Sequence, residues 1–373
     1  MRRMIAIVDK SFPPEHSFVD EFICDEIPKK GIRVTLICSR NKSFKKVGRY
    51  KKAIYLSNLL ERKRLKRFLN FFVLYFDFIK ILQKTRYNNE TILFIRNEPI
   101  YLLVSYFFKN RFQKIIFQQS FPHELTNNLL KRYITIFIFR YFGTHVDKVI
   151  GISEKGIERL KKYFKKTSDF ISIPMGVSKS ELRYTHKPIG HEVKFIYIGT
   201  HNKSRQIKVI LEAILSISYE INAKFDFIGG TKKEIKPLKK WLIKKNKFHQ
   251  INLIPKIPRK DILLHLTNYD IGIGLIPNYN IYAESTATKI VEYASKGLAV
   301  LSNYEIEFNR NFILKSNGGY LANFNLESIS NKISDICREK DISEKKLNAY
   351  NYVKKNYLYE LYVEKFLNEV KDE

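Results

Sequence analysis

The chain contains little cysteine, few acidic residues relative to basic ones, and no long uninterrupted apolar run. Its three cysteines, Cys24, Cys38 and Cys337, are scattered, and no two of them have the spacing of a metal site or a redox motif. We therefore predict reduced thiols and a cytoplasmic protein rather than a disulfide-bonded secreted one. Polar residues interrupt the longest apolar stretch, 68–82, which falls short of the roughly 20 apolar residues of a membrane-spanning helix.

Acidic residues are outnumbered most strongly in the first half of the chain. The formal net charge is +30, and residues 1–190 contribute +22 of it, with 38 Lys and Arg against 16 Asp and Glu. A field of this sign attracts polyanions such as nucleic acid, an anionic membrane face or a phosphorylated acceptor. A lysine-rich surface can also reflect composition alone, so the charge by itself does not choose among these.

The length and the order of the predicted elements indicate two domains of the α/β class. The chain has 373 residues, more than one ordinary domain, and its 45% hydrophobic content is enough for two buried cores. Short apolar strands alternate with helical stretches in both halves, which predicts parallel, doubly wound sheets. The predicted strands are 5–8, 34–39, 92–95, 114–118, 148–153, 170–176, 193–199, 224–230, 251–255, 270–276 and 298–301. The predicted helices include 18–27, 154–163, 207–221, 237–245, 261–267 and 351–370.

The pattern of strands and helices starts afresh after a polar linker at 177–191. We therefore divide the chain into an N-terminal domain of residues 1–176 and a C-terminal domain of residues 177–350. Residues 351–373 form a predicted C-terminal helix.

The most informative segment is 270–303, which we interpret as strand, polar loop, helix and strand. The loop aims a helix N-terminus out of the carboxyl edge of a parallel sheet, where free N–H groups and the helix dipole favour an anion. Two acids, Glu284 and Glu292, lie eight residues apart around that helix start. Carboxylates beside an anion site suit a ligand that also carries hydroxyl groups, such as a sugar-nucleotide. The alternative is that Glu284 is an ordinary first-turn acid and Glu292 a solvated helix residue.

This segment resembles the E-x7-E region of glycosyltransferase family 4, the group 1 glycosyltransferases. The residues that carry the resemblance are Glu284, Ser285, Thr288, Lys289, Glu292, Tyr293, Ala294, Gly297, Leu298, Ala299 and Val300. The likeness covers most of 145–305, whereas over 1–145 it is limited to topology. It implies an α/β protein of the GT-B fold, in which two Rossmann-like domains face a central cleft and a final helix returns towards the N-terminal domain. It also implies that a sugar is transferred from a nucleotide-sugar with retention of configuration.

The same resemblance assigns roles to the residues around the helix start. Glu284 would face the transferred sugar as a catalytic residue, and Glu292 would bind the ribose. The backbone of four residues would hold the diphosphate: Ser285, Thr286, Ala287 and Thr288. Lys256 and Ile257 lie where the family often contacts the nucleobase.

A second donor-binding element follows the first predicted strand of the C-terminal half. A strand that ends in Gly199 lets the next loop approach a ligand, and Arg205 can donate two parallel hydrogen bonds to a phosphate. The family has an arginine after this glycine and a lysine several residues later, whereas here Thr200 takes the first place and Arg205 stands near the second. We predict that Arg205 clamps the diphosphate and stabilises the leaving group, with Lys203 and Lys208 as further candidates. The alternative is a solvated loop.

In the N-terminal half the resemblance implies an acceptor-binding domain. Its first loop lacks the family's glycines but contains Glu15 and His16, which would face the cleft. Farther along, Gln119 and His123 compete for the position of a histidine that faces the donor sugar in the family, and we predict a catalytic role for His123. Glu98, after another predicted strand, is a further candidate. A lone histidine more often has a structural role, so His123 has that alternative.

Two basic stretches that are rich in aromatic residues suit docking on an anionic membrane surface. One is 58–83, and the other is 129–141. Five cations precede the aromatic part of the first stretch: Arg62, Lys63, Arg64, Lys66 and Arg67. The alternative is that the aromatic side chains belong to the domain core and the basic ones to its solvated side.

We predict a retaining glycosyltransferase that moves a sugar from a nucleotide-sugar to a glycan or to a polyprenyl-linked or other lipid-linked acceptor. The product would be a cell-envelope polysaccharide, capsule or lipopolysaccharide, made in the cytoplasm at the inner face of the membrane. No D-x-D pair of the kind that binds Mg²⁺ in many transferases is present, so we predict that no metal or other cofactor is required. The alternatives are a sugar-nucleotide epimerase of the same fold and a basic nucleic-acid-binding protein. Because no RRM-type signature, zinc spacing or basic arm occurs, we predict no nucleic-acid partner.

Overall fold

The chain folds into two compact units. The computed structural model describes residues 3–12, 14–40, 53–56, 75–83, 90–164, 169–185, 190–245, 250–284, 288–339 and 341–370. The first unit comprises Met1–Pro174 together with Tyr359–Glu373, and the second comprises Met175–Leu358. Each unit is built on one parallel sheet with helices packed against it.

The described residues of the first unit form a sheet of seven parallel strands. These are β1 (Arg3–Phe12), β2 (Arg33–Arg40), β3 (Ala53–Leu56), β4 (Thr91–Arg96), β5 (Lys114–Gln119), β6 (Lys148–Gly151) and β7 (Asp169–Ser172). Their order is β3-β2-β1-β4-β5-β6-β7, so the direction of winding reverses between β1 and β4. Open α/β sheets bind ligands at the carboxyl ends of the strands beside such a reversal. All six residues of β4 are buried, as expected for a central strand that is covered on both faces.

Helices cover both faces of this sheet. The π-helical segment Phe18–Glu26 continues into α1 (Ile27–Lys29), and the next helices are α2 (75–83), α3 (Pro99–Tyr106), α4 (Leu129–Phe142) and α5 (Glu154–Lys161). The C-terminal helix Tyr359–Val370 also belongs to this unit. It packs on the π-helical segment, where the ring centroids of Phe22 and Phe366 are 5.8 Å apart and the hydroxyl groups of Ser17 and Tyr359 are 3.1 Å apart.

The described residues of the second unit form a six-stranded parallel sheet. Its strands are β8 (Val193–Ile198), β9 (Ala223–Gly230), β10 (Ile251–Pro255), β11 (Ile271–Ile273), β12 (Ala299–Asn303) and β13 (Gly319–Ala322). The order β10-β9-β8-β11-β12-β13 places the reversal between β8 and β11. The parallel, doubly wound sheets predicted for both halves are therefore confirmed.

Eight α-helices of the described residues belong to the second unit, and they begin with α6 (Ile207–Ile217), α7 (Lys232–Lys244) and α8 (Arg259–His265). Next come α9 (Asn280–Ala283) and α10 (Thr288–Ser295), which flank the loop after β11. The last three are α11 (Glu307–Ser316), α12 (Leu326–Arg338) and α13 (Ser343–Asn356), and the C-terminal helix of the first unit is α14.

The start of α7 differs from the prediction. From the sequence we predicted this helix at 237–245. The helix instead begins at Lys232, since the Thr231 hydroxyl accepts the Glu234 N–H at 3.3 Å and the Glu234 carboxylate accepts the Thr231 N–H at 2.8 Å. This reciprocal capping box fixes the helix start five residues earlier.

The end of the chain also differs from the prediction of one helix at 351–370. The chain forms two helices, α13 and α14, separated by Tyr357 and Leu358. There, the Tyr357 carbonyl accepts the Val177 N–H at 3.0 Å, and Leu358 forms a parallel bridge with Val177. This pairing with a distant segment is a tertiary contact, which helical periodicity does not report.

At Gly272 the strand β11 lies close against Tyr293 of α10, and we expect Gly272→Ala to be strongly destabilising. A Cβ atom at Gly272 would lie 2.2 Å from ring atoms of Tyr293, whose side chain is fully buried. Overpacking of this kind should lower the free energy of unfolding of the second unit by about 3 kcal/mol. Urea unfolding measures it, with Gly190→Ala as the control, because the nearest atom to a Cβ there is 4.0 Å away. Equal stability of the two variants would contradict this packing.

Candidate active site

Two glycines allow the strand ends at the edge of the second sheet to lie close together. The Gly199 N–H donates to the Ile228 carbonyl at 2.9 Å. A Cβ at Gly229 would lie 2.5 Å from the Gly199 carbonyl oxygen, and the φ of Gly229 is +124°, which other residues rarely adopt. The loop after β8 therefore starts from a tightly packed strand end at the winding reversal.

The loop after β8 and the loop after β11 are joined by side chains. The Ser204 hydroxyl lies 3.0 Å from the Tyr282 hydroxyl, and the Gln206 amide donates to the Tyr279 hydroxyl. Tyr279 immediately precedes α9 and Tyr282 lies within it, so the polar loop predicted within 270–303 contains one helical turn. Thr200 is exposed, and its carbonyl faces the Tyr197 hydroxyl at 3.4 Å.

Two cations meet at this sheet edge. The Arg205 guanidinium carbon lies 4.5 Å from the Tyr282 ring centroid, and the Lys289 ammonium lies 4.3 Å from the centroid of Tyr197. Desolvation, and then the positive charge of Arg205, lower the pKa of Lys289 well below its ordinary value. Within the described ranges, no carboxylate forms an ion pair with either cation. A pair of like charges without a counter-charge is unfavourable in the empty protein and favours an anionic ligand.

Glu292, on α10, is held by an arginine. The Arg259 side chain donates from Nε to Glu292 Oε1 at 2.7 Å, and its terminal nitrogen lies 2.6 Å from the same oxygen. Glu292 is only 8% exposed, so the alternative of a solvated helix residue is wrong. Because both nitrogens bind Oε1, Oε2 makes no hydrogen bond to any part of the chain that the structure describes and is left for a ligand hydroxyl.

The other donor-site residues occupy the same unit. The Lys256 N–H donates to the Gly230 carbonyl at 3.1 Å, and Ile257 packs partly buried against the core. Glu284 directly follows α9, and Thr288 begins α10. Ser285, Thr286 and Ala287 lie outside the described residues, so their role in holding a diphosphate stays a prediction.

The candidates in the first unit are more buried than a flexible acceptor loop would be. Gln119 is 3% exposed, and its amide donates to Glu124 at 2.9 Å and accepts from Arg159 at 3.1 Å, which links β5 to α5. His123 is 7% exposed, and burial lowers its pKa to about 4, so the imidazole is neutral at pH 7. Its ring centroid lies 5.1 Å from that of Phe121.

The first loop compensates for its missing glycines in an unexpected way. Glu15 adopts φ +47°, a left-handed conformation that glycine usually provides. The following residue, His16, donates its N–H to the Asp20 carboxylate at 2.9 Å and places its imidazole 3.3 Å from the Arg96 guanidinium. Left-handed non-glycine residues often mark functional loops.

A comparison of the sequence with models of protein families gives one match. Residues 178–356 match the model described as glycosyl transferases group 1. Residues 178–356, within the second unit, are therefore a group 1 glycosyltransferase domain. The resemblance inferred from the sequence is thereby confirmed at the level of the family. No curated protein sequence matches this glycosyltransferase significantly.

Solved structures resemble the whole glycosyltransferase chain at low sequence identity. Sucrose-phosphate synthase from Thermosynechococcus elongatus has a TM-score of 0.79 at 12% identity, over 99% of this chain and 98% of its own. HepE from Anabaena, in complex with UDP-glucose, has a TM-score of 0.72 at 10% identity, and the match covers 99% of this chain and 100% of HepE. WaaG, a glycosyltransferase of lipopolysaccharide biosynthesis, has a TM-score of 0.68 at 14% identity, and the match covers 99% of this chain and 100% of WaaG. The GT-B class with two Rossmann-like domains, expected from the sequence, is thus confirmed.

Sequence reasoning missed two charged residues of this glycosyltransferase. Arg259 stands at the start of a helix after a buried strand, a position that signals a sheet-edge residue but not its partner. Lys289 lies within the matched motif, three residues before Glu292, and was not assigned a role. Its importance comes from contact with Tyr197, almost a hundred residues earlier, which depends on the tertiary structure.

Helix α4 of the glycosyltransferase has apolar residues on two sides. Its core side contains Thr135, Ile138 and Phe139, all buried. Six large apolar residues are exposed on the other side and form what we call the exposed α4 face: Leu129 (63%), Leu130 (71%), Tyr133 (66%), Ile134 (49%), Phe137 (52%) and Tyr141 (63%). At 3.6 residues per turn these six fall within one arc of the helix.

The other stretch predicted to dock on a membrane is 58–83. Its residues 75–83 form α2, whereas its cations Arg62 to Arg67 lie outside the described residues. None of the helices in the described ranges combines the length and the apolar content needed to cross a bilayer.

Proposed function

We propose that this glycosyltransferase moves a sugar from a nucleoside-diphosphate sugar, with UDP-sugars as the first candidates, to a sugar acceptor carried on a membrane lipid. The donor assignment rests on two cations, Arg205 and Lys289 of α10, with which no carboxylate of the described residues forms an ion pair. The HepE structures contain UDP-glucose, or UDP and glucose, which supports the choice of UDP. The proposal of a membrane-bound acceptor rests on the exposed α4 face and on the excess of basic residues.

The chemistry follows from the charge of the leaving group. Breaking the anomeric C–O bond builds positive charge on the sugar and negative charge on the departing diphosphate. Arg205 and Lys289 stabilise that negative charge. The first N–H groups of α10 contribute further stabilisation. Glu292 orients the ribose, and Glu284 and His123 face the transferred sugar. With two positioned cations the reaction needs no metal, and we propose that the anomeric configuration is retained.

The experiment uses the full-length protein with UDP-, GDP-, ADP- and dTDP-sugars, each with and without a membrane lipid extract. We expect release of one nucleoside diphosphate that depends on the lipid extract, and an NMR coupling constant in the product that shows the donor's anomeric configuration. A donor that changes its sugar configuration without any acceptor would identify an epimerase instead. Release of no nucleotide with any donor would contradict the transferase assignment.

The proposed membrane surface is the exposed α4 face. Its six side chains are apolar or aromatic, and exposed Lys131, Arg132 and Arg140 lie on the same helix. A helix of this composition lies in the interface of an anionic bilayer, with the apolar arc among the acyl chains and the cations at the headgroups. The net charge of +22 on residues 1–190 attracts the anionic bilayer over a longer range.

We expect the double variant Leu130→Gln, Phe137→Gln to lose most of its binding to vesicles that contain about one third anionic lipid. Each fully buried large apolar side chain contributes about 1.5–3 kcal/mol, so the partition coefficient should fall at least tenfold. Cosedimentation measures the change. Leu314→Gln is the control, because Leu314 is 64% exposed on α11 of the second unit. If the double variant sediments as the wild type does, another surface binds the membrane.

A further inference from the structure

Two tyrosines next to one helical turn of the second unit hold the three residues centred on Arg205. The Ser204 hydroxyl lies 3.0 Å from the Tyr282 hydroxyl, and the Gln206 amide donates to the Tyr279 hydroxyl. The Tyr282 ring also lies against Arg205, with 4.5 Å between the ring centroid and the guanidinium carbon. Each of three consecutive residues in the loop after β8 therefore contacts one of these tyrosines.

The contact with the Tyr282 ring restrains Arg205 and leaves its hydrogen-bond donors free. In the part of the chain that the structure describes, the Arg205 side chain forms no hydrogen bond and no ion pair. A cation over an aromatic face is held by the charge distribution of the ring, so its N–H groups stay available for a ligand. A carboxylate in the place of the ring would occupy those N–H groups and would repel a phosphate.

The backbone beside Arg205 is held by the same pair of tyrosines. Gln206 adopts φ +46°, a left-handed conformation that is unfavourable for a residue other than glycine and persists only where its surroundings impose it. Its N–H donates to the Lys203 carbonyl at 3.2 Å, and its side chain is tied to Tyr279. These contacts fix the turn that presents Arg205 at the sheet edge.

The tyrosines also connect this turn to the predicted catalytic acid. Tyr282 lies in α9, and Glu284 follows the end of that helix directly. The contacts between α9 and the loop after β8 therefore set the distance between Arg205 and Glu284. An arginine and an acid that act on the same donor need this distance to be fixed before the donor binds.

We propose that Tyr282 is a positioning residue that holds Arg205 in place for the terminal phosphate of a nucleoside diphosphate, and that Tyr279 supports it by fixing the turn at Gln206. This inference rests on the proposed function, because it takes Arg205 to bind the diphosphate. A long side chain loses conformational freedom when it binds a ligand, and a ring that restrains it beforehand lowers that cost. The negative charge of the leaving group then meets a cation that is already in position.

The second cation of the site is held in the same manner, which supports this interpretation. The Lys289 ammonium lies 4.3 Å from the ring centroid of Tyr197. Tyr197 is 1% exposed, so its replacement would disturb the core of the second unit. Tyr282 is only partly buried, and it is therefore the ring whose replacement tests positioning without a large loss of stability.

The test compares the wild type with Tyr282→Leu and Tyr282→Phe by calorimetric titration of the full-length protein. The ligands are UDP, GDP, ADP and dTDP, followed by the monophosphate of whichever nucleoside binds. We expect Tyr282→Leu to bind the diphosphate about tenfold more weakly and the monophosphate as the wild type does, because Arg205 acts on the terminal phosphate. Tyr282→Phe keeps the ring and should stay within threefold of the wild type for both ligands.

A double-variant cycle shows whether Tyr282 acts through Arg205. In an Arg205→Met background, Tyr282→Leu should have no further effect on the affinity for the diphosphate. The control is Tyr219→Leu, since Tyr219 is 76% exposed beyond the end of α6. Urea unfolding of the same preparations should give equal stabilities for the wild type and Tyr282→Leu.

The results separate this inference from the proposed function. Equal losses for the diphosphate and the monophosphate, or a Tyr282→Phe variant as weak as Tyr282→Leu, would overturn the positioning role. A wild type that binds a diphosphate no better than Tyr282→Leu would refute the positioning role and leave the donor site standing. A wild type that binds none of the four diphosphates would refute the donor site, and the role of Tyr282 would fail with it.

Discussion

Lys289→Met is expected to weaken the binding of a nucleoside diphosphate by about a hundredfold while making the empty protein more stable. The Lys289 ammonium is desolvated against Tyr197, and the positive charge of Arg205 also acts on it. A diphosphate would neutralise both charges, and one charge-assisted hydrogen bond contributes about 1.5–3 kcal/mol, so losing it accounts for most of two orders of magnitude in Kd.

The gain in stability has the same cause. In the empty protein the folded state disfavours the charged ammonium, so the unfolded chain binds this proton more tightly. Stability should therefore rise as the pH increases towards the ordinary lysine pKa, and Lys289→Met should remove that rise. Titration calorimetry and urea unfolding of the same preparations measure both effects.

Lys203→Met is the control for Lys289→Met, because Lys203 is an exposed lysine in the loop after β8 that also contains Arg205. Lys208 is a poorer choice of clamp than the sequence suggested, since its ammonium lies 5.1 Å from the Trp241 ring centroid and 3.5 Å from Glu212. Equal losses in Lys203→Met and Lys289→Met would mean that general charge, not a built site, attracts the nucleotide.

Glu292→Gln is expected to remove the recognition of the ribose. Wild-type protein should bind UDP at least tenfold more tightly than 2′-deoxy-UDP or 3′-deoxy-UDP, because the free Glu292 oxygen accepts a ribose hydroxyl. In Glu292→Gln that difference should fall to less than threefold. Measuring both proteins with UDP and with its deoxy analogues gives a thermodynamic cycle. The cycle separates the contact with the ribose hydroxyl from any general loss of binding.

Glutamine is a better test than alanine at this position because of Arg259. Alanine would remove the carboxylate that pairs with the largely buried guanidinium, and breaking such a pair costs about 3 kcal/mol or more. Glutamine keeps a hydrogen-bond acceptor at the same place. A ribose preference that survives in Glu292→Gln would show that another residue binds the sugar of the nucleotide.

The sequence predicted those parts of the molecule that depend on local patterns. The buried strand β4 follows from the apolar run 92–95, and α10 with Glu292 follows from the strand, loop, helix and strand predicted at 270–303. The position of Arg205 also follows from a glycine-ended strand. These features depend on neighbouring residues alone, which is why one sequence is enough to find them.

What the sequence could not predict depends on contacts between distant residues. Lys289 gains its role from Tyr197, and Glu292 is fixed by Arg259, a residue 33 positions away. Asp9 of β1 pairs with Arg96 and Asn97 at the end of β4, and Asn97 has a left-handed conformation that no local pattern demands. The start of α7 is a different case, since the Thr231 capping box was present in the sequence and outweighs the proline.

The most direct test of the donor site is a calorimetric titration of the wild-type protein with UDP, GDP, ADP and dTDP. We predict that at least one of them binds at one site per chain with a micromolar Kd, and that the combined variant Arg205→Met, Lys289→Met abolishes the binding. If no nucleoside diphosphate binds at millimolar concentration, or if the combined variant binds as the wild type does, the edge of the second sheet is not a nucleotide site.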